Sequence, residues 1–407
     1  MRTITILLLV LFTAGWATAG DSPQFRGPAR DGKFDEKGLL RSWPEGGPQQ
    51  AWVVKGIGAG YASPSIAGDR IYVTGMENEV GAVSVLALDG AIERKISYGP
   101  ETREKQAPGS RSTPTLDGNR LYLLTGLGTV CCLDLTTGKP LWSVDIVARF
   151  GASLPMWHYA ESLLIDGNRV ICTPGGPDAG MAALDKMTGE TVWTTKGFGD
   201  KASYCSAAII SHKGRRILTN ATGGFFVGAD PETGAVLWTF AQKAPWNIHA
   251  VTPLYADGLL YYVAGDGVGG GALALSADGA SVTPKWADTS LDCLHHGVVL
   301  VDGYLYGCGY KDKGRLTCLE MATGKVAWQA AEIGEGVVVY ADGMLYVYEG
   351  PKSGTVSLVK ASPAGFERTG SFVLKEGEGQ HWAHPSIANG RLYLRHGDTL
   401  SAYKIAP

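Results

Sequence analysis

Residues 131–142, CCLDLTTGKPLW, form one copy of a unit that recurs along the chain. An apolar strand is followed by Leu-Asp, two residues, Thr-Gly, three residues and a tryptophan. Further copies are LDKMTGETVW (184–193), ADPETGAVLW (229–238) and LEMATGKVAW (319–328). Asp and Thr oxygens suit a turn and glycine supplies a positive φ, so each copy predicts a β-hairpin with tryptophan on the returning strand. A unit this small cannot bury its own apolar face, and it must stack against its neighbours.

Two series of landmarks alternate along the chain. The first is a hairpin between an apolar strand and a strand that usually carries Leu-Tyr or Ile-Tyr. Its turn glycines are Gly68, Gly118, Gly167, Gly214, Gly258, Gly303, Gly343 and Gly390. The second is an aromatic or apolar residue on an outer strand, at Trp52, Ile96, Trp142, Trp193, Trp238, Trp286, Trp328 and Phe372. Eight such units predict an all-β chain folded as an eight-bladed β-propeller of four-stranded antiparallel blades.

The phase of the two series predicts how the ring closes. The outer strand around Trp52 precedes the first hairpin, whereas no outer strand follows the last hairpin, which ends in LSAYKIAP. The N-terminal strand is therefore predicted to pair with the C-terminal strands and complete the last blade. Such closure removes the exposed sheet edges and couples the two ends of the chain.

The N-terminus has the pattern of a secretory signal peptide over residues 1–19. Arg2 precedes an apolar run at 4–12, and Ala17-Thr18-Ala19 is a small-residue cleavage site. Residues 20–48 are predicted to be an irregular lead-in and residues 49–407 the propeller. We expect export to the periplasm or the extracellular space, with no transmembrane span in the mature chain. A net charge of −3 argues against a nucleic-acid partner.

Six of the eight histidines lie in the loops that precede the inner strand of a blade, and these loops converge on one face of a propeller. The predicted site residues are Tyr61, Arg111, Trp157, His158, Glu161, Asn247, His249, His295, His296, Glu335, His381, Trp382 and His384. Three interpretations are open. Imidazoles and carboxylates suit a transition metal, whereas Trp, His, Arg and Glu suit a planar or saccharide ligand. Alternatively, these side chains line a wet channel and hydrogen-bond one another.

The LDxxTGxxxW repeats, the FRGP segment (25–28), WHYAESL (157–163) and HHGVVLVDGYLYG (295–307) resemble the PQQ-like β-propeller repeat proteins. The resemblance covers nearly the whole mature chain. It is closest to the secreted, quinoprotein-like branch that is similar to the BamB-like propellers of outer-membrane assembly. This resemblance implies an exported binding or scaffolding module with envelope proteins or a small molecule as partners. The repeat is specific for fold rather than for function.

An alternative implied by the same resemblance is a PQQ- and calcium-dependent alcohol or sugar dehydrogenase. In that case Glu161 and Asn247 would hold Ca²⁺, Trp157 or Trp382 would stack on the quinone, and Asp292 would be the catalytic base. Dehydrogenases of this kind also carry two adjacent cysteines over the quinone. The adjacent Cys131 and Cys132 instead lie within a predicted strand, where successive side chains point to opposite faces, and they are predicted to be structural.

Overall fold

The computed structural model describes residues 20–407, so the predicted signal peptide lies outside the described residues. Eight sheets form the blades of a β-propeller, each with four antiparallel strands in meander order, and one of them gains a fifth, parallel strand at Lys33–Phe34. The predicted fold class is therefore confirmed. Blades are numbered here in chain order, and the four strands of each are given from the channel outward.

Blade 1 contains Ser65–Ala67, Arg70–Glu77, Val80–Ala87 and Ile92–Pro100. Blade 2 contains Thr115–Asp117, Arg120–Leu124, Thr129–Asp134 and Pro140–Asp145. Blade 3 contains Leu164–Asp166, Arg169–Cys172, Ala182–Asp185 and Thr191–Thr194. Blade 4 contains Ala208–His212, Arg215–Ala221, Phe225–Ala229 and Val236–Ala241.

Blade 5 contains Leu254–Ala256, Leu259–Ala264, Gly269–Leu275 and Val282–Asp288. Blade 6 contains Val298–Val301, Tyr304–Cys308, Leu316–Glu320 and Val326–Ala330. Blade 7 contains Gly336–Ala341, Met344–Glu349, Thr355–Lys360 and Arg368–Val373. Blade 8 contains Ser386–Ala388, Arg391–His396, Thr399–Lys404 and, from the N-terminal part of the chain, Gln50–Lys55.

The ring closes as the phase of the repeat predicts. Gln50–Lys55 pairs antiparallel with Thr399–Lys404, with Val53 opposite Ser401. The outermost strand of blade 8 thus comes from one end of the chain and its three inner strands from the other. Opening the ring would expose the edges of both strands, so closure links the stability of the first blade to that of the last.

The tryptophan and the Thr-Gly turn of the repeat lock neighbouring blades together. Trp142 of blade 2 reaches the turn of blade 3, where its Nε1 donates to the carbonyl O of Lys186 at 3.1 Å. Its ring covers Gly189, where a Cβ would lie 2.7 Å from Cε3 of Trp142. Trp52 of blade 8 makes the same contact with blade 1, since Nε1 donates to Leu88 at 2.8 Å and the ring lies on Gly90. The repeat is therefore a device for joining blades.

We expect Gly189→Ala to destabilise the protein by about 2–4 kcal/mol, because the new methyl group meets the Trp142 ring and φ at this position is +75°. Gly167→Ala in the same blade is the matched control. Gly167 also has a positive φ, of +56°, but a Cβ there would meet no atom within 4 Å. Urea unfolding should show a loss of about 1 kcal/mol for the control. Equal losses in the two variants would contradict the interlocking role.

The core lies between blades rather than in one central cluster. Cys131 packs with blade 1 residues such as Val83 and Ile96, whereas Cys132 packs with blade 3 residues such as Val170. The two side chains thus enter different inter-blade cores, as predicted from strand geometry. All seven cysteines are buried and free. A structural role for the adjacent pair follows from this packing.

Regular structure outside the blades is short. One α-helix, Ile146–Phe150, follows blade 2, and 3₁₀ turns occur at Pro245–Asn247 and Lys311–Lys313. A two-residue strand, Lys33–Phe34, pairs in parallel with Gly336–Ala341 of blade 7. No helix in residues 20–407 has both the length and the apolar character needed to cross a membrane.

Candidate ligand site at the mouth of the channel

The N-terminal lead-in runs inside the ring of inner strands. Ser22 forms an antiparallel bridge with Ile66 of blade 1, and the amide of Leu116 in blade 2 donates to the carbonyl O of Pro23 at 2.9 Å. Further along, Lys33–Phe34 pairs with the inner strand of blade 7. These contacts on several sides of the ring place residues 22–34, the plug, in the central channel. The plug gives the channel a floor.

Two buried arginines hold the plug in place. Arg30 donates to three carbonyl oxygens at the start of blades 3 and 4, those of Ser162 at 2.6 Å, Leu163 at 3.0 Å and Ala207 at 2.8 Å. Arg26 donates to the carbonyl O of Val298 in blade 6 at 2.7 Å. Burial lowers the pKa of both guanidinium groups to about 10, so both remain charged at neutral pH. The plug thereby connects opposite sides of the ring.

A cavity of about 580 Å³ lies over the plug at one face of the ring. Its wall is built by the loops before the inner strands and by the loops between the second and third strands of blades 5, 6 and 7. Seven predicted site residues line it: Tyr61, Arg111, Trp157, His295, Glu335, Trp382 and His384. The hairpin turns and the Thr-Gly turns lie at the other end of the strands. The blade-joining part of the repeat and the cavity are thus on opposite faces.

Aromatic rings form two groups on the cavity wall. Trp382 lies beside Tyr61, with ring centroids 5.4 Å apart, and makes an edge contact of 5.5 Å with His295. Trp157 lies 6.2 Å from Tyr204 and 6.4 Å from Trp246. Rings at these separations form a continuous apolar surface that suits flat ligands.

Trp246 is the most exposed of these rings. Its side chain is 62% exposed, and its φ of +59° is unusual for a bulky residue. Such a conformation costs of order 1 kcal/mol or more. Folding alone gains little from an exposed tryptophan in a strained turn, and this ring is free to contact another molecule at the rim of the cavity.

Arg111 is a partly buried cation that forms no salt bridge in residues 20–407. Its Nη2 donates to the carbonyl O of Trp157, while its Nε makes no hydrogen bond. Burial lowers its pKa, and the charge of Glu104 opposes that effect. The Glu104 carboxylate itself accepts the amides of Gln106 and Ala107, at 3.0 and 2.9 Å. The cavity wall therefore carries a positive charge that protein groups leave incompletely satisfied.

A histidine cluster lies on the opposite side of the ring, before blades 6 and 8. The rings of His295 and His296 are 4.3 Å apart, and Nε2 of His296 lies 3.8 Å from a carboxylate oxygen of Glu335. His384 Nδ1 lies 3.0 Å from Nη1 of Arg26, which can only donate, so His384 accepts there and donates from Nε2 to the carbonyl O of His295.

Burial keeps this cluster neutral. It lowers the pKa of His295 to about 4 and holds the pKa values of His296 and His384 well below the ordinary range. Burial also raises the pKa of Glu335. Within residues 20–407, no three His, Cys, Asp or Glu side chains come together as a set of metal ligands.

Four predicted histidines lie outside the cavity lining. His158 bonds through Nδ1 to Oγ1 of Thr102 at 2.6 Å, and His249 is buried against Phe226. His381 lies 3.8 Å from His396 in a stacked pair, with Nδ1 at 2.6 Å from the hydroxyl of Tyr348. His296 is likewise fully buried behind His295. Of the six loop histidines, His295 and His384 line the cavity and the other four do not.

The side chains expected to serve a calcium-bound quinone do not assemble. Glu161 is buried and accepts the amide and hydroxyl of Thr173, at 2.8 and 2.9 Å. Asn247 is exposed at the rim. Asp292 accepts the amides of Gly267 and Gly269, at 3.0 and 3.2 Å, and holds a turn of blade 5. None of Glu161, Asn247 and Asp292 lines the cavity. The predicted ligand set and base are therefore not supported by the geometry.

Several cavity residues were not among those predicted. Phe25 belongs to the plug and lies 5.0 Å from the His384 ring. Asp266 and Lys311 form an ion pair of 2.7 Å across two loops between second and third strands. Those loops lie on the same face as the predicted ones because strands alternate in direction, and that alternation is the signal that would have identified them.

Proteins similar in sequence to this chain include a quinoprotein alcohol dehydrogenase and outer membrane protein assembly factors. Over 143 residues the chain is 32% identical to quinoprotein alcohol dehydrogenase PedH of Pseudomonas putida, an alignment that covers 33% of this chain and 23% of PedH. Over 236 residues it is 25% identical to outer membrane protein assembly factor BamB of Yersinia pestis, covering 55% of this chain and 57% of that protein. The chain spans less than two thirds of the length of these relatives.

Solved structures share the fold. BamB from Moraxella catarrhalis superposes with a TM-score of 0.64 at 16% identity, covering 88% of this chain and 99% of that chain. Quinohemoprotein alcohol dehydrogenase from Comamonas testosteroni superposes with a TM-score of 0.72 at 14% identity, covering 96% and 82%. At such identities the likeness concerns the fold alone.

The repeat, the blade count and the ring closure define a PQQ-like β-propeller. Residues 89–330, more than half of the chain, match the family described as outer membrane protein assembly factor BamB. The chain belongs to that family.

Proposed function

We propose that this protein is an exported binding module that holds a ligand in the cavity over the plug. The observation that carries the proposal is the aromatic wall that ends in the exposed, strained Trp246. A volume of about 580 Å³ suits a small molecule or one or two side chains of a partner protein.

Export and envelope partners are part of the same proposal. The signal-peptide pattern of residues 1–19 supports export. Membership of a family described by outer membrane assembly supports a partner in the cell envelope. The closed propeller provides a rigid frame, since every blade is joined to the next and the plug ties opposite blades together.

Photo-crosslinking tests this proposal directly. A benzoylphenylalanine at position 246 is placed at the cavity rim, and one at position 187 is placed in a Thr-Gly turn on the other face. Met187 is a fair control because it is also well exposed, at 50%. With an envelope extract of the source organism, position 246 should give a defined adduct and position 187 should not. The same adducts from both positions, or none from position 246, would argue against a ligand site at this mouth.

A further inference from the structure

The chemistry of the cavity restricts the ligand that it can bind, if the cavity is the binding site proposed above. Arg111 enters from the loop before blade 2, between the two aromatic groups of the wall. Its guanidinium is partly buried and has one neutral acceptor, the carbonyl O of Trp157, while its buried Nε has no hydrogen-bond partner. A cation in this state gains most from an anion that replaces the water it has lost.

Other charges near the cavity are already paired or engaged. Lys311 is bound to Asp266, and Arg26 donates to backbone carbonyls below the floor. Glu104 is held by backbone amides in its own loop. Arg111 is therefore the cation on this wall with bonding capacity to offer to a ligand.

The side chains around Arg111 restrict the chemistry of the part of the ligand that does not contact Arg111. Tyr61 and Trp382 lie on one side of the cavity, and Trp157 and Tyr204 lie on the other. His295 faces Arg111 from the opposite part of the ring, since it precedes blade 6, and it is neutral because of burial. A neutral imidazole and aromatic rings on these sides suit an uncharged flat group, while the charged side chains Asp266, Lys311 and Glu335 lie in other loops of the wall.

We infer that the cavity binds a carboxylate joined to a flat aromatic group, with the carboxylate on Arg111 and the ring between the aromatic side chains. Two sources supply this chemistry: a free aromatic acid and a peptide chain that ends in an aromatic residue. Planar guanidinium recognises a carboxylate through parallel hydrogen bonds, which an uncharged amide cannot reproduce.

Calorimetric titration with matched probes tests this inference on the full mature chain. The probes are indole-3-propionate and its amide, and the dipeptide Gly-Trp and its amide. The acid of at least one pair should bind about tenfold or more tightly than its amide. Binding by indole-3-propionate alone assigns a free acid, and binding by Gly-Trp alone assigns a peptide end. Equal binding of acid and amide, or no binding by either acid at millimolar concentration, overturns the inference.

Arg111→Gln should abolish the preference for the acid and leave binding of the amide unchanged. Arg103→Gln is the matched control, because Arg103 lies in the same loop with its side chain 71% exposed and paired with Glu79. An acid preference that survives in Arg111→Gln would also overturn the inference. If position 246 gives a defined crosslink but calorimetry shows no preference for the acid, this inference is wrong and the proposed function stands. If position 246 gives no crosslink, the proposed function is wrong.

Discussion

Acidification from pH 7 to pH 5 is expected to lower the free energy of unfolding by several kcal/mol. Five buried histidines are held neutral by burial, His249, His295 and His381 with a pKa of about 4 and His296 and His384 with a pKa well below the ordinary value. A histidine whose pKa is lowered by folding stabilises the protein above its unfolded pKa near 6.5, and that contribution is lost as the pH falls towards the folded pKa.

Buried carboxyl groups act in the opposite sense. Burial raises the pKa of Glu161 to about 7, so the folded protein holds a proton on it that the unfolded chain releases above pH 4.5. Its contribution is therefore present below pH 4.5 and lost as the pH rises to 7. The pKa values of Glu101, Glu335 and Glu349 are raised in the same direction. Five histidines oppose these four carboxyl groups, so the unfolded chain binds more protons near pH 5.5 and the free energy of unfolding falls as the pH falls.

Urea unfolding between pH 7.5 and pH 4.5 measures this slope. His249→Gln removes one of the five titrating groups and should reduce the slope by about 1.4 kcal/mol per pH unit. A free energy of unfolding that stays constant from pH 7 to pH 5, with no difference between the two proteins, would show that these histidines are not buried neutral groups.

Removal of an arginine from the plug is expected to have the largest effect of any single substitution discussed here. Arg30→Ala leaves the carbonyl oxygens of Ser162 and Ala207 buried without the guanidinium donor, while that of Leu163 keeps only the Thr115 hydroxyl, at 2.6 Å. An unsatisfied buried carbonyl costs about 1–3 kcal/mol, and partial access of water to the vacated space offsets some of this cost. We therefore expect a loss of about 3–5 kcal/mol, since three blade contacts disappear together.

Arg41→Ala is the matched control for this prediction. Arg41 follows the plug in the N-terminal segment. Like Arg30, it donates to a carbonyl oxygen, that of Asp342, but its side chain is 60% exposed. Its loss should cost at most about 1 kcal/mol. Similar urea midpoints for Arg30→Ala and Arg41→Ala would mean that the plug does not stabilise the ring. That result would also contradict the role of the plug as the floor of the cavity.

The fold was predictable because its signals repeat. Two consecutive LDxxTGxxxW copies supply both halves of the contact between blades 2 and 3, Trp142 and the Gly189 that it covers. Eight hairpin turns and eight outer-strand landmarks specify eight blades, and the unmatched first strand at Trp52 specifies closure. Because the pattern repeats, it can be recognised in a single sequence.

The site was less predictable because nothing in it repeats. Loop position brings Arg111, Trp157, His295 and Trp382 together as expected. The direction in which a side chain points does not follow from its position in the loop. His158 points away from the cavity, and His249 and His381 point into the interior.

The plug escaped prediction for a different reason. The segment FRGPARDG has no strand or helix periodicity, and its structure is determined by carbonyl groups far away in sequence. Arg26 and Val298 are 272 residues apart in the sequence. A local sequence pattern cannot connect positions so far apart. Only the closed ring brings these acceptors to the channel, so the plug is a consequence of the whole fold.

Native mass spectrometry of the protein purified from its own cell envelope tests the central claim, that the mouth of this propeller holds a ligand. We predict that the wild-type protein carries an added mass that is absent from Trp157→Ala/Trp382→Ala and present in the Met187→Ala control. A wild-type protein with the mass of its chain alone, or an added mass that persists in the double variant, would contradict the claim.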